Sequence, residues 1–249
     1  MNVEDALFLL LLAALLVMMG AGGWRMLRNA ERRAADREKA IDPSGQAPAE
    51  LSPKPDTPGP FGYKTAWLAV RCGDPQEAAG AMHCRQLTPA NWKTGLSCCA
   101  QSGGGLFFSP PLDGFVLVIG GDLFSLAYRR KALEALAAQF PGVQYFASHR
   151  VSSSYCWARY EAGRCVRAYC QEDGAVTWNV GALTPEEQAL GFDAFALPPG
   201  EAAARGPGEE DVLDIAAAWG IDPRFEKKTY PPAVGWVCNE GKEHLQWDG

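Results

Sequence analysis

From Phe61 onward, the spacing of apolar positions changes period several times, and each change predicts an element. "GYKTAWLAVR" (62–71) places Tyr63, Thr65, Trp67 and Val70 as a strand would. In "DPQEAAGAM", Asp74 is placed to cap a helix with Pro75 at its first position. "NWKTGL" then leads into a Cys- and Gly-rich loop, residues 97 to 105. "LFFSPPLDGFVLVIGGDL" predicts two short strands, the second an unbroken apolar run from Phe115 to Ile119 of the kind found at the centre of a sheet. Over Ser125 to Phe140, Leu126, Leu133, Leu136 and Phe140 share a helical face, with Arg129, Arg130 and Lys131 turned to water. "PGVQYFASHR" gives a further strand, "LTPEEQAL" a short helix capped by Thr184, and "EDVLDIAAAWG" a helix closed by Gly220. "PPAVGWVC" reads as the last strand.

Residues 153 to 181 alternate with period two and are divided at "EAG" and "EDG", which predicts a three-stranded meander over 153–161, 164–172 and 175–181. If Ala162-Gly163 is the first turn, Cys156 opposes Tyr169, Cys165 opposes Tyr160, and Cys170 opposes Tyr155. A longer loop from Glu161 sets Cys165 against Arg159 and carries Cys170 past Tyr155. Neither register brings two cysteines together, which favours reduced, buried thiols. In the first register one face carries Cys156, Tyr160, Arg167, Tyr169 and Trp178, and reads as core. The other carries Tyr155, Trp157, Arg159, Ala168 and Cys170. That face is either covered by a helix or offered to a partner, as exposed Tyr, Trp and Arg are at binding hot spots. Strands and helices do not alternate regularly, so the expected fold class is α+β: a mostly antiparallel sheet with packed helices.

The N-terminal pattern has no period at all. Ala6 to Trp24 is apolar, uncharged and long enough to cross a bilayer as a helix. Glu4 and Asp5 precede it, and Arg25, Arg28, Arg32, Arg33, Arg37 and Lys39 follow. The positive-inside rule then predicts one inner-membrane span with the body in the cytoplasm. A cleaved signal peptide or a periplasmic body is the rival reading. The expected organisation is residues 1–40 as span and basic extension, 41–60 as a Pro-rich linker, and 61–249 as the globular domain.

Composition adds limits rather than direction. At 47% hydrophobic and 21% charged residues the chain is globular, and its net charge of −6 argues against direct nucleic-acid binding. Eight cysteines include no CxxC, and the adjacent pairs His83-Cys84 and Cys98-Cys99 are poorly spaced to turn toward one zinc ion. Three histidines stand in no catalytic motif, and the glycine clusters lack the helix start of a phosphate site. No metal, cofactor or enzymatic activity is expected.

"FGYKTAWLAVR", "NWKTGL", "FFSPPLDGFVLVIGGDL" and "YFASHRVSSSYCWARYEAGRCVRAY…DGAVTWNVG" together resemble bacterial immunity proteins, in particular the cognate inhibitors of type VI secretion nuclease effectors. The resemblance implies stoichiometric binding of a toxin and contributes no catalytic residue. An acidic domain suits a nuclease with a basic cleft, since complementary charge accelerates capture. The residues expected at such an interface are Glu172, Asp173, Glu209, Glu210, Asp211 and Asp214, with Tyr155, Trp157 and Arg159 from the aromatic face. The competing expectation is a membrane-tethered binding or scaffold domain of an envelope assembly. In both, the membrane is a partner through the N-terminal helix.

Overall fold

A computed structural model describes residues 50–100, 105–196 and 206–239. The expected span, Ala6 to Trp24, and its basic extension lie outside these residues. No helix among the described residues is long and apolar enough to cross a membrane.

Among the described residues nine strands form one sheet: β1 (Thr65–Val70), β2 (Leu87–Ala90), β3 (Leu106–Phe108), β4 (Val116–Ile119), β5 (Gly142–His149), β6 (Ser154–Glu161), β7 (Arg164–Glu172), β8 (Ala175–Val180) and β9 (Gly235–Cys238). Their order is β2-β9-β3-β4-β1-β5-β6-β7-β8, and every pairing is antiparallel. The sheet confirms the α+β class. The β6–β8 meander keeps the expected turns, and the two strands with the most continuous apolar sequence, β1 and β4, are paired near the centre. β2 carries Pro89, which lowers the sequence signal for a strand, yet a short edge strand tolerates a residue without an N–H.

Helices cover both faces. On one, α1 (Pro75–Ala81) packs on β3, β4 and β9, and α3 (Arg130–Ala137) packs on β6 and β7, preceded by a 3-10 segment Gly121–Ala127. On the other lie α2 (Trp92–Cys99), α4 (Pro185–Ala189), a 3-10 turn Phe192–Phe195 and α5 (Glu209–Trp219). Alternating side chains of β1 divide accordingly: Ala66, Leu68 and Val70 enter the first core, Trp67 and Ala69 the second.

Three local expectations are corrected. The helix foreseen over 125–140 begins only at Arg130, because the chain first makes the 3-10 segment. Asn91 accepts from Thr94 N at 3.0 Å and starts α2, so Cys98 and Cys99 are helical rather than in a loop. Part of the expected spacer is docked. Asn91 N donates to Ser52 O at 2.7 Å, Trp92 N to Asp56 Oδ1 at 2.7 Å, and Asp56 bridges Ala233.

The main correction concerns register. The Ala162-Gly163 turn is present, with Glu161 opposite Arg164 and Tyr160 opposite Cys165. A bulge then leaves Val166 unmatched, and beyond it Arg159 faces Arg167, Trp157 faces Tyr169, and Cys156 faces Cys170. One inserted residue moves every later side chain of β7 to the opposite face. Tyr169 therefore joins Trp157 in the second core, while Ala168 and Cys170 join Cys156 in the first. Cys156 and Cys170 are joined by a disulfide, with Cα atoms 4.1 Å apart. The expectation of reduced cysteines throughout the meander fails at this pair.

Candidate interaction surface

The sequence places acidic and aromatic residues far apart, and the sheet collects most of them at one end. β5 finishes there at His149 and β6 begins at Ser154, joined by a 3-10 turn whose Val151 is 77% exposed. His149 Nδ1 and Ser152 Oγ lie 2.7 Å apart within that turn, a structural role for the histidine. β7 ends at the same edge with Glu172, and the hairpin turns at Asp173-Gly174, both at positive φ. Tyr128, between the 3-10 segment and α3, is 66% exposed and donates its hydroxyl to Glu172. This bond holds the Tyr128 phenol up to about 12, with burial adding to it.

The first turn of α5 completes this end. Glu209 accepts from Lys64 N at 3.2 Å and Ser148 Oγ at 3.0 Å, and Glu210 from Tyr63 Oη at 2.7 Å. Asp211 is buried and accepts from Gly208 N at 2.8 Å. Three carboxylates in a helix's first turn suit its positive dipole end. Tyr155, on β6, lies between Ser148 of β5 and Gln171 of β7. Partial burial raises its pKa first, and the nearby carboxylates of Glu209 and Asp211 add to that against the guanidinium of Arg150. Of the six acids and the tyrosine expected at the interface, six residues meet here: Glu172, Asp173, Glu209, Glu210, Asp211 and Tyr155. The seventh, Asp214, sits one turn further along α5, paired with Arg224 at 2.8 Å.

Trp157 and Arg159 are placed elsewhere. Trp157 is fully buried, stacked on Tyr169 with centroids 4.7 Å apart and closed over by Phe192 and Phe195. The aromatic face is thus covered at its centre rather than offered. Arg159 is half-buried, 2.8 Å from Glu161 and over the ring of Trp219.

What covers Trp157 is held by a buried ion pair that sequence reasoning missed. Arg167 is 1% exposed and Glu187, on α4, is fully buried; Arg167 Nε donates to both Glu187 oxygens at 2.8 and 2.9 Å. Glu187 also accepts from Trp157 Nε1 and from Thr184 N, each at 2.8 Å. The guanidinium continues to Asn179 and to the carbonyls of Ala168, Val180 and Phe195. The Thr184–Glu187 capping box was a readable signal that α4 begins here. That its glutamate reaches a buried arginine depends on the bulge.

Beside Tyr128 an open groove of about 540 Å³ is lined by Arg129, Arg130, Lys131 and Thr177. Arg130 stacks over Trp178 and donates to Thr177 O at 2.8 Å. The end of the sheet therefore presents an acidic centre with a basic flank. Among the described residues no group of three or more His, Cys, Asp or Glu is arranged to hold a metal. No protein-family model matches the chain, no curated protein matches it in sequence, and no solved structure matches it.

Proposed function

We propose that the chain is a binding protein that neutralises a bacterial toxin, and that the end of the sheet carrying Tyr128, Val151, Glu172, Asp173 and Glu210 is its contact surface. The observation that carries the reading is convergence. Carboxylates from the β7–β8 turn and from α5 meet beside the two most exposed large apolar side chains among the described residues. Aromatic and aliphatic anchors amid charge are what a capture surface uses. A toxin with a basic surface, such as a secreted nuclease effector, is the complementary partner, and its acidic-facing encounter is fast at low salt. Catalysis by this chain is no part of the reading.

The test is co-expression of the full chain with secreted nuclease effectors, each directed to the compartment that holds the folded body. Growth is restored, and the two proteins co-purify. The double charge reversal Asp173→Lys/Glu210→Lys slows association about tenfold at low salt, and because Glu210 also holds Tyr63 and Arg224, the comparison is made under conditions where the unfolding midpoint shows the variant fully folded. Unrelieved toxicity with no complex refutes the reading. One observation favours a second reading, a membrane-tethered binding or scaffold domain of an envelope assembly: the Cys156–Cys170 disulfide belongs to the chemistry of envelope proteins rather than cytosolic ones.

A further inference from the structure

We infer that the folded body matures in a thiol-oxidising compartment, where a disulfide-carrying oxidoreductase installs the Cys156–Cys170 bond before α3 closes over the sheet. This reverses the topology expected from the positively charged flank, and it does not rest on the toxin reading.

The bulge at Val166 brings the two cysteines opposite one another on adjacent strands, 4.1 Å apart at Cα. Both are buried, at 3% and 4% exposure, in the core that α3 covers by packing on β6 and β7. A protein oxidant acts through a mixed disulfide with one cysteine, and no such partner reaches a sulfur beneath a docked helix. Oxidation therefore precedes docking. In that step each thiol gives up its proton and the pair gives up two electrons. The oxidant's disulfide takes them and leaves as two thiols. Once α3 is seated, the same burial shields the bond from small thiols.

The surrounding thiols then leave the seated bond alone. Cys165, the other meander cysteine, faces Tyr160 rather than a cysteine. In the folded chain burial raises the Cys165, Cys98 and Cys99 thiols and lifts Cys72 to about 11, so few thiolates of these four are present to attack the bond once it is seated. A cytosol keeps such pairs reduced, and an envelope compartment oxidises them.

The experiment uses the full chain in its own cells. Thiols are trapped by acid quench and alkylation, and the protein is digested without reductant. The expected result is a linked peptide pair containing Cys156 and Cys170, lost in cells lacking their disulfide-introducing oxidoreductase. A reporter active only after export, fused behind Gly249, is expected to be active. Recovery of both cysteines as alkylated thiols overturns the inference, and so does a linked pair in a chain whose exported reporter is silent. Cys156→Val/Cys170→Ala, which replaces the pair with apolar side chains, separates redox from packing: its yield is expected to become independent of the oxidoreductase. If the parent's yield is equally independent, oxidation is not part of maturation. Toxin neutralisation is read separately, by complex formation between the purified oxidised chain and the toxin in one solution, so failure of one proposal is distinguishable from failure of the other.

Discussion

Glu187→Gln isolates the interaction that seats α4 on the meander. The substitution keeps volume and one carbonyl acceptor but removes the charge facing Arg167, which is 1% exposed. Breaking a buried pair by removing one partner costs about 3–5 kcal/mol, because the remaining ion is left uncompensated in a medium that solvates it poorly. The amide's N–H₂ also replaces one of the two acceptors that serve Arg167 Nε, Trp157 Nε1 and Thr184 N. A neutral lost hydrogen bond adds about 1 kcal/mol. Against a total stability of about 5–15 kcal/mol, the expected loss of about 4 kcal/mol is a large fraction. With a urea slope of about 2–3 kcal/mol/M, it lowers the midpoint by about 1.3–2 M. Glu161→Gln is the control: its Arg159 partner is 30% exposed, and such a pair contributes under about 1 kcal/mol. Trp157 reports the same event optically, since it loses both its indole partner and its cover. A midpoint shift below about 0.5 M, equal to the control's, would refute the claim that this pair holds the second face closed.

Two further perturbations test the packing and the titration of the core. Gly95→Ala on α2 places a Cβ 2.3 Å from Phe107 Cδ2, so overpacking of about 1–3 kcal/mol outweighs the gain of about 1 kcal/mol in helix propensity. Gly80→Ala on α1 meets nothing within 4 Å and is expected to stabilise by up to about 1 kcal/mol; equal thermal shifts for the two variants would contradict this packing. Six of the seven tyrosines have raised pKa values, with burial the leading cause at Tyr145, Tyr155, Tyr160, Tyr169 and Tyr230, and Glu172 at Tyr128. A phenol whose folded value lies above the unfolded one, about 10, stabilises the fold fully below that pH. Its contribution is lost as pH rises through the folded value, about 12 for Tyr169. Tyrosinate absorbance should therefore rise late and together with unfolding. Ionisation of most tyrosines by about pH 11 in a chain that still shows its native near-ultraviolet spectrum contradicts the burial.

The periodicity of the sequence carried the strands well, and the meander boundaries most closely, because strand period and Asp-Gly or Ala-Gly turns are local signals. Register was not local in the same way. Val166 has no glycine or proline to mark a bulge, yet by standing unmatched it reverses the faces of Arg167, Ala168, Tyr169 and Cys170. That single residue separates a meander of isolated thiols from one with a disulfide, and a core arginine from its glutamate. α2 was hidden for a different reason: "NWKTGLSCC" is a weak helix by composition, and its start is fixed by Asn91 together with Asp56, whose carboxylate receives both Trp92 N and Lys93 N. Of the acids of α5, Asp211 caps the helix by accepting from Gly208 N, while Glu209 and Glu210 reach across to Lys64, Ser148 and Tyr63. Their meeting with Glu172 and Tyr155 follows only from the order β5-β6-β7 and from α5 lying across β5 and β6.

The architecture itself argues for where a partner can bind. Both faces of the sheet are covered by helices, so neither is available as an open platform. Both edges are blunted against strand addition. β2 has four residues and a proline, and β8 has a bulge at Thr177, whose carbonyl is taken by Arg130, while Arg167 takes the carbonyl of Val180. A sheet closed in this way leaves its ends as the surfaces open to contact. At one end Gly163 sits against Ala138, so the β6–β7 turn is tucked onto the last turn of α3. The opposite end carries Val151 and Tyr128 outward among the carboxylates of Glu172, Asp173 and Glu210. If binding is the function, this end is the part of the described fold left free to perform it, and charge reversal there should reach affinity without reaching the core.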